Sequence, residues 1–315
     1  MIDRRDVLKF AAAGALVFAA RPVLAQTPAK PRTRIIFLGT KGGPRVGVGA
    51  SNPANLVVVN DTPFVIDCGM GVSRQLVNAG VPLPSVKYIF ISHHHSDHNL
   101  EYGNLFYNAW AAGLSTPIHS FGPKGIEAMT RTYWELNKFD VDTRIEDEGR
   151  PDPRPLLVAK DITEDGVVLQ TADVKVTAFR TPHPPIVDSF AYKFETPDGV
   201  IVFSSDTAYN PRLAEFAKGA DVLVHEALYV PAVDRLVIKT KNGATLKKHL
   251  MESHTTTEDV GRIAAAAGVK VLVLSHFVPG DDPEVTDEDW ISGVRKNFSG
   301  KIIVAKDLMQ LALPV

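Results

Sequence analysis

Short runs of β-branched and aromatic residues alternate with longer amphipathic stretches along most of this chain. The short runs predict strands, and the stretches with apolar positions three or four residues apart predict helices. Strands are expected at residues 34–38, 55–59, 64–67, 88–92, 174–180, 189–195, 200–204, 222–225, 271–275 and 301–304, and helices at 71–79, 103–112, 124–138, 211–218, 257–267 and 286–297. Many short strands with helices between them favour a layered α/β architecture. An acidic, proline-rich stretch at 146–155 predicts a loop.

The first 25 residues have a different pattern, which is that of a targeting segment. Arg4 and Arg5 precede an apolar stretch at residues 10–20, and small residues follow as far as Ala25. This order defines a signal peptide, and the stretch is shorter than the roughly 20 residues of a membrane span. Paired arginines resemble a twin-arginine signal. We therefore expect a twin-arginine-type signal peptide at 1–25, and a periplasmic or secreted protein with no membrane anchor after cleavage.

The rest of the chain shows no internal repeat and no strong boundary. Residues 26–33 contain prolines and basic residues and predict a linker, so a single folded domain is expected at residues 34–315. Hydrophobic residues make up 45% of the chain and charged residues 22%, as is ordinary for a packed globular protein. The net charge of −2 provides no global field for a polyanion. Cys68 is the single cysteine, so any metal must be held by imidazole and carboxylate groups.

One loop is rich in such groups. Residues 92–98 read Ser-His-His-His-Ser-Asp-His and follow an apolar predicted strand. His93 and His95 are two residues apart, so their side chains can point the same way from an extended segment. Asp97 and His98 can then turn the chain toward a second ion. The spacing predicts that this loop contributes ligands to two metal ions.

Three further residues follow predicted strands elsewhere in the chain. His183 lies between prolines that restrict its backbone, and Asp206 and His276 each stand at the carboxyl end of an apolar run. Core packing does not explain a polar residue at each of these strand ends. The sequence therefore predicts a dinuclear metal site, whose ligands are His93, His95, Asp97, His98, His183, Asp206 and His276.

The order of these residues resembles the signature of the metallo-β-lactamase superfamily, His-x-His-x-Asp-His followed by His, Asp and His. The resemblance extends over about residues 34–311 and implies a four-layer αββα sandwich with the metals at one edge of the paired sheets. It further implies that His93, His95 and His183 hold the first metal. By the same resemblance Asp97, His98 and His276 hold the second, and Asp206 bridges the two.

Other motifs resemble the ribonuclease Z and arylsulfatase-like branch of that superfamily. They are Phe-Leu-Gly-Thr at 37–40, Asp-Cys-Gly at 67–69, Gly-Pro-Lys-Gly at 122–125, His-Glu-Ala at 225–227 and His-Thr-Thr at 254–256. In that branch a glutamate and a histidine form a dyad beside the metals. The resemblance assigns these roles to Glu226 and His254.

Two departures from the branch bear on the substrate. Only 22 residues separate His183 from Asp206, where ribonuclease Z enzymes carry a long arm for transfer RNA. The loop after the signature also lacks the usual Gly-Leu-Pro-Gly. With the export signal, these departures argue against a nucleic-acid partner and for a small-molecule substrate. Asp206 argues against a true β-lactamase, because those enzymes lack its equivalent.

The sequence thus predicts an exported dinuclear-metal hydrolase of small anionic esters, either arylsulfates or phosphodiesters. Two divalent cations are expected, zinc first, with iron or manganese as alternatives. A metal-bridging hydroxide, oriented by Asp97 and Asp206, is the expected nucleophile. His254, oriented by Glu226, is the expected proton donor.

The lysine-containing segment at 230–252 is expected to cover the site as a lid whose charge suits an anion. Two other functions stay open at this point. One is a lactonase or carboxyl-ester hydrolase on the same metals, and the other is a non-catalytic metal-binding protein. A homodimer is also left open.

Overall fold

The computed structural model describes residues 32–47 and 49–315. The expected signal peptide and residues 26–31 of the expected linker lie outside this part of the chain. Strand β1, Thr33–Gly39, begins one residue before the expected start of the domain. Thr33 is buried and pairs with Leu313, so residue 33 belongs to the folded domain and not to the linker.

Fourteen strands form among the described residues. They are β1, β2 Ala54–Val59, β3 Thr62–Ile66, β4 Tyr88–Phe90, β5 Ile118–Pro123, β6 Leu157–Ile162, β7 Gly166–Gln170, β8 Lys175–His183, β9 Ile186–Thr196, β10 Gly199–Phe203, β11 Val222–Leu228, β12 Val271–Val278, β13 Lys301–Val304 and β14 Gln310–Leu313. One sheet has the order β14-β1-β2-β3-β4-β5-β6, and the other has the order β13-β12-β11-β10-β9-β8-β7. Both sheets mix parallel and antiparallel pairs.

Ten α-helices accompany the strands in the same part of the chain. They are α1 Val72–Asn78, α2 Ser96–Asn99, α3 Tyr102–Ala111, α4 Ile126–Leu136, α5 Lys138–Glu148, α6 Pro211–Phe216, α7 Val230–Val237, α8 Gly243–Ser253, α9 Thr257–Ala267 and α10 Asp287–Arg295. Short 3₁₀ turns occur at Leu83–Ser85 and Arg154–Leu156. None of the helices described here is long and apolar enough to cross a membrane.

Three apolar layers hold the domain together. Along β1, Ile36 and Leu38 pack with α1, α3 and α4, whereas the alternate residues Ile35 and Phe37 pack against the second sheet. This alternation follows from the strand period of two residues. On the outer side of the second sheet, α6, α9 and α10 form the third layer. The expected αββα sandwich is therefore confirmed.

Several predicted boundaries differ from the observed ones. The sequence analysis did not predict β5, β6, β7 or β14, nor the helices α2, α5, α7 and α8. The loop expected at 146–155 begins inside α5, because Arg144 pairs with Asp140 and Glu148 at four-residue spacing and extends that helix. β12 was expected to end at residue 275 but continues to Val278.

Candidate metal centre

The histidine-rich loop leaves the first sheet directly after β4. His95 is extended and stands at the N-cap of α2, which is a single turn that carries Asp97 and His98. The loop is fixed from behind, since the backbone N–H and the hydroxyl of Ser92 both donate to Asp67, at 2.7 and 2.9 Å. One extended segment followed by one helical turn therefore aims its side chains in two directions.

The second sheet contributes one residue at or near the carboxyl end of each of three strands. His183 is the last residue of β8, Asp206 follows β10, and His276 lies within β12. His276 has a left-handed backbone with φ of 48°, and Ser205 beside Asp206 has φ of 57°. These conformations turn the chain where the ligand must face the site. At residue 276 the strand resumes after the turn, which explains why its end was predicted too early.

The first group of candidate ligands is compact. Nδ1 of His95 lies 3.0 Å from Nε2 of His93 and 3.1 Å from Nε2 of His183. Zinc–nitrogen bonds of about 2.0–2.1 Å at tetrahedral angles place neighbouring nitrogens about 3.3 Å apart. His93 and His183 have no exposed surface. The spacing of these three nitrogens suits a shared cation.

A second group lies beside the first. Nε2 of His98 is 3.3 Å from Nε2 of His276, and Oδ2 of Asp97 is 3.6 and 3.7 Å from these two atoms. Asp206 faces both groups. Its Oδ2 is 3.8 Å from His93 and His183 and 3.4 Å from His98, and its Oδ1 is 3.1 Å from His276. All seven predicted ligands therefore meet, with Asp206 placed between the groups.

The hydrogen bonds of the outer nitrogens of two rings are those expected of metal-binding histidines. Nδ1 of His183 donates to the carbonyl of Ser253 at 2.8 Å, and Nδ1 of His98 donates to Asp67 at 2.8 Å. In the neutral ring the proton is then on Nδ1, so Nε2 carries a lone pair that points at other nitrogens and carboxylates. Oδ1 of Asp206 is buried and accepts no hydrogen bond from the described residues. Lone pairs converging in a buried site fit divalent cations.

Electrostatics support the same conclusion. Burial lowers the pKa of His98, but Asp206, Asp67 and Asp97 outweigh it and raise this pKa well above its ordinary value. At His95 the carboxylates do not outweigh burial. Burial and the neighbouring His183 lower the pKa of His95 to about 4, which favours the neutral form that binds metal. The carboxylates thus create an excess of negative charge that attracts cations: at His98 it holds a proton, which a metal ion would replace, whereas His95 is neutral and available to bind.

Glu226 and His254 form a pair beside these groups. Nδ1 of His254 donates to Oε2 of Glu226 at 2.9 Å, and the backbone N–H groups of Thr207 and Thr255 donate to Oε1 at 2.9 and 3.2 Å. A register shift in β11 at Glu226 turns its side chain toward the site. Burial opposes charge on His254, but Glu226 outweighs it and raises the pKa of His254 to about 9. This residue pair has the geometry of a carboxylate-oriented general acid.

A cavity of about 390 Å³ opens onto the metal centre. Sequence reasoning missed the glycine-rich loop that forms one of its walls. In this loop the N–H of Gly43 donates to Oδ2 of Asp97 at 2.9 Å. A Cβ on Gly42 would lie 2.7 Å from the ring of His276, so only glycine fits there. The Gly-Gly pair directly after β1 was the available signal, because such pairs mark turns and close backbone approaches.

The opposite wall of the cavity comes from α7 and α8, as expected for a lid. The lid residues that line it are Leu236, Thr240, Asn242, Leu246, His249 and Leu250. None of the lid lysines is among them, and Lys247 instead pairs with Asp234 on the surface. The expected positive charge of the lid toward the substrate is therefore wrong. The cations that line the cavity are Lys41 and Arg45, from the wall that contains the glycine pair.

Comparisons with known proteins agree with this fold and site. A family model described as a β-lactamase superfamily domain matches residues 62–277. A ribonuclease Z of Mycolicibacterium gilvum is 26% identical over 277 residues, which cover 87% of this chain and 94% of the relative. Among solved structures, the metallo-β-lactamase fold protein YhfI from Bacillus subtilis has a TM-score of 0.65 at 19% identity, covering 89% of this chain and 99% of that one. The short form of human tRNase Z has a TM-score of 0.63 at 19% identity, covering 90% and 100%.

These comparisons correct one prediction. The sequence analysis argued against a nucleic-acid partner, but curated relatives that align over nearly their whole length are named ribonuclease Z. The short interval between His183 and Asp206 is the hairpin of β9 and β10.

Proposed function

The chain belongs to the metallo-β-lactamase superfamily and is a metal-dependent hydrolase, and we propose that it cleaves anionic esters, phosphodiesters first and arylsulfates second. The observation that carries this proposal is the position of His254, which is fixed by Glu226 and lies within 4.8 Å of ligand atoms of Asp206 and His276. A proton donor at that position serves a leaving alkoxide. Phosphodiesters come first because ribonucleases, the named activity of the relatives, cleave this type of bond.

We assign two divalent cations, zinc first, to the two ligand groups. His93, His95 and His183 would hold one, Asp97, His98 and His276 would hold the other, and Asp206 would contact both. Cations in such a site lower the pKa of water and polarise the bond to be cleaved. The N–H of Gly43 donates to Oδ2 of Asp97, the same oxygen that lies beside His98 and His276, and so fixes its direction.

His254 completes the reaction. Because its Nδ1 proton is held by Glu226, its Nε2 is the atom that gives a proton to the leaving oxygen. One phosphodiester and one water become one phosphomonoester and one alcohol. The alcohol takes its proton from Nε2 of His254, and the water restores a proton to that atom.

A substrate panel tests the proposal on zinc-loaded protein. The panel contains bis(p-nitrophenyl) phosphate, p-nitrophenyl sulfate, a short RNA, a homoserine lactone and nitrocefin. We expect the phosphodiesters to have the highest kcat/KM, with the sulfate next. Cleavage of the RNA would support the phosphodiester assignment and identify nucleic acid as a substrate. Faster turnover of the lactone or of nitrocefin would overturn the proposal.

We also propose that the protein is exported through a twin-arginine route to the periplasm or beyond. This proposal rests on Arg4, Arg5 and the apolar residues that follow them in the sequence. Replacing both arginines with lysine should retain the protein in the cytoplasm of a host that has the pathway. Cell fractionation measures this, and unchanged export of the double variant would contradict the proposal.

A further inference from the structure

We propose that the cavity beside the metal centre binds one apolar organic substituent of the ester, held against the lid by Leu236, Leu246 and Leu250. This inference rests on the proposed function, because it assumes that the ester bond to be cleaved lies at the metal centre. The cavity is continuous with the metal centre, because Asp97, Asp206, His254 and His276 also line it. An ester positioned for cleavage would therefore project one substituent into the cavity.

The part of the cavity wall that α8 forms is one regular face of this helix. Asn242, Leu246, His249 and Leu250 follow the i, i+4, i+7, i+8 spacing of one helix face, and all four line the cavity. Lys247 and Lys248, between them, are exposed. This face thus presents Leu246 and Leu250 to the cavity together with the polar Asn242 and His249, while the two lysines face solvent.

A small apolar cluster supports this face from behind. Leu250 packs with Leu228, Val233 and Val278, and Leu236 and Leu246 pack against this cluster while remaining half-buried. Leu236 and Leu246 therefore retain surface that they turn toward the cavity. A bound apolar group would cover that surface.

The glycine-rich loop adds two cationic side chains to the lining of the cavity, to which Asp281 also contributes. Lys41 is almost fully buried and lines the cavity, and its Nζ donates to the carbonyl of Arg45 at 2.6 Å. Arg45 lines the cavity as well. A lining that combines Lys41 and Arg45 with the three leucines suits an ester with an anionic reacting group and an apolar substituent.

The size of the cavity sets the scale of the substituent. A volume of about 390 Å³ lies at the lower end of small-ligand sites. A short alkyl chain or one aromatic ring fits such a volume. Burial of each methylene in an apolar site strengthens binding by about fourfold.

Calorimetry with a homologous series tests the subsite without catalysis. Methyl-, ethyl-, propyl- and butylphosphonate share an anionic head and differ only in the alkyl chain. Titrated into the zinc-loaded full chain, they should bind about fourfold more tightly for each added methylene. In Leu246→Ser the increment should fall below about twofold, and in Leu246→Met it should return, since methionine restores an apolar side chain of similar volume.

Ile238→Ser is the matched control. Ile238 lies on the same lid but is 83% exposed and does not line the cavity, so the increment should match that of the unmodified protein. A flat series in the unmodified protein would overturn the subsite, and so would a full increment in Leu246→Ser. Hydrolysis is measured separately with the corresponding alkyl p-nitrophenyl phosphates. Chain-length-dependent binding without hydrolysis would contradict the proposed function alone, and hydrolysis with flat binding would contradict the subsite alone.

Discussion

The two sides of the active-site cavity are built differently. On the metal side, His93 and His183 are fully buried, and a hydrogen bond from Nδ1 to a backbone carbonyl fixes the His183 ring. On the lid side, Leu236 and Leu246 are half-buried and rest on a small cluster separate from the three main layers. The metal side is thus built mainly from the sandwich, whereas the lid side is an addition that touches it where the carbonyl of Ser253, the last residue of α8, accepts the hydrogen bond from His183.

This difference suggests that the two sides have different roles, one in the chemical step and the other in substrate choice. Residues at the ends of sheet strands are held by the whole domain, so they suit chemistry that requires fixed distances. A peripheral helical pair has fewer buried contacts and opens at lower cost. We infer that the sheets determine which bond is cleaved and that the lid determines which substituent is accepted.

The largest effect is expected from Asp206→Ala. Removing the carboxylate that faces both ligand groups should lower kcat/KM roughly 10⁴-fold, since several kcal/mol of charge stabilisation are lost. Bound zinc, measured by elemental analysis, should fall from two ions to one or none. Asp281→Ala is the control, because Asp281 lines the same cavity but belongs to neither ligand group. Retention of two zinc ions by Asp206→Ala would contradict the assignment.

The next effect is expected from His254→Ala. Loss of a positioned general acid should lower kcat about 10²–10⁴-fold while both zinc ions stay bound. Steady-state kinetics and metal analysis of the same preparation measure the two quantities. His119→Ala, on the exposed face of β5, should change neither. If zinc were lost together with activity, His254 would have to be reassigned as a ligand.

A smaller effect is expected from Asp67→Ala, which removes a carboxylate that contacts a metal ligand without being one. Asp67 accepts hydrogen bonds from His98 and Ser92, so Asp67→Ala releases both the ring and the loop. Zinc affinity, measured by competition with a chelator, should fall about 10–100-fold. An unchanged affinity would show that the sandwich holds His98 without this contact.

The smallest effect is expected from the lid lysines. Lys247 pairs with Asp234 at an exposed position, and surface pairs of this kind contribute about 0–1 kcal/mol. The double variant Lys247→Ala/Lys248→Ala should change KM for bis(p-nitrophenyl) phosphate by less than about twofold. A tenfold rise in KM would contradict this comparison, because it would mean that the lid lysines bind the anionic substrate.

The sequence predicted the metal side far better than the lid side, for physical reasons. The spacing of His93, His95, Asp97 and His98 is local, and a polar residue at the end of an apolar strand is conspicuous. The cavity instead assembles from segments around residues 41–45, 236–250 and 276–281, which no local pattern connects. In the lid helices, apolar residues are interspersed with charged ones. The lysines are therefore conspicuous in the sequence, whereas the residues that line the cavity are not.

The edge strands show the same limit. β7 contains a short apolar run at 167–169 that was not predicted as a strand, and none of its residues is fully buried, unlike several residues of β8 and β10. Glu226 and His254 were assigned by resemblance alone, and the structure brings them within hydrogen-bond distance. The register shift that turns Glu226 inward leaves no sequence signal.

Asp67, Ser205 and His276 have left-handed backbones, with φ of 64°, 57° and 48°, at the edge where the ligands meet. Such conformations cost non-glycine residues of the order of 1–3 kcal/mol each. Glycine would relieve this strain, but it would also remove the hydrogen-bond acceptor at 67 or the imidazole at 276. The strain is therefore tied to function, and stability cannot be gained at residues 67 and 276 without loss of the site.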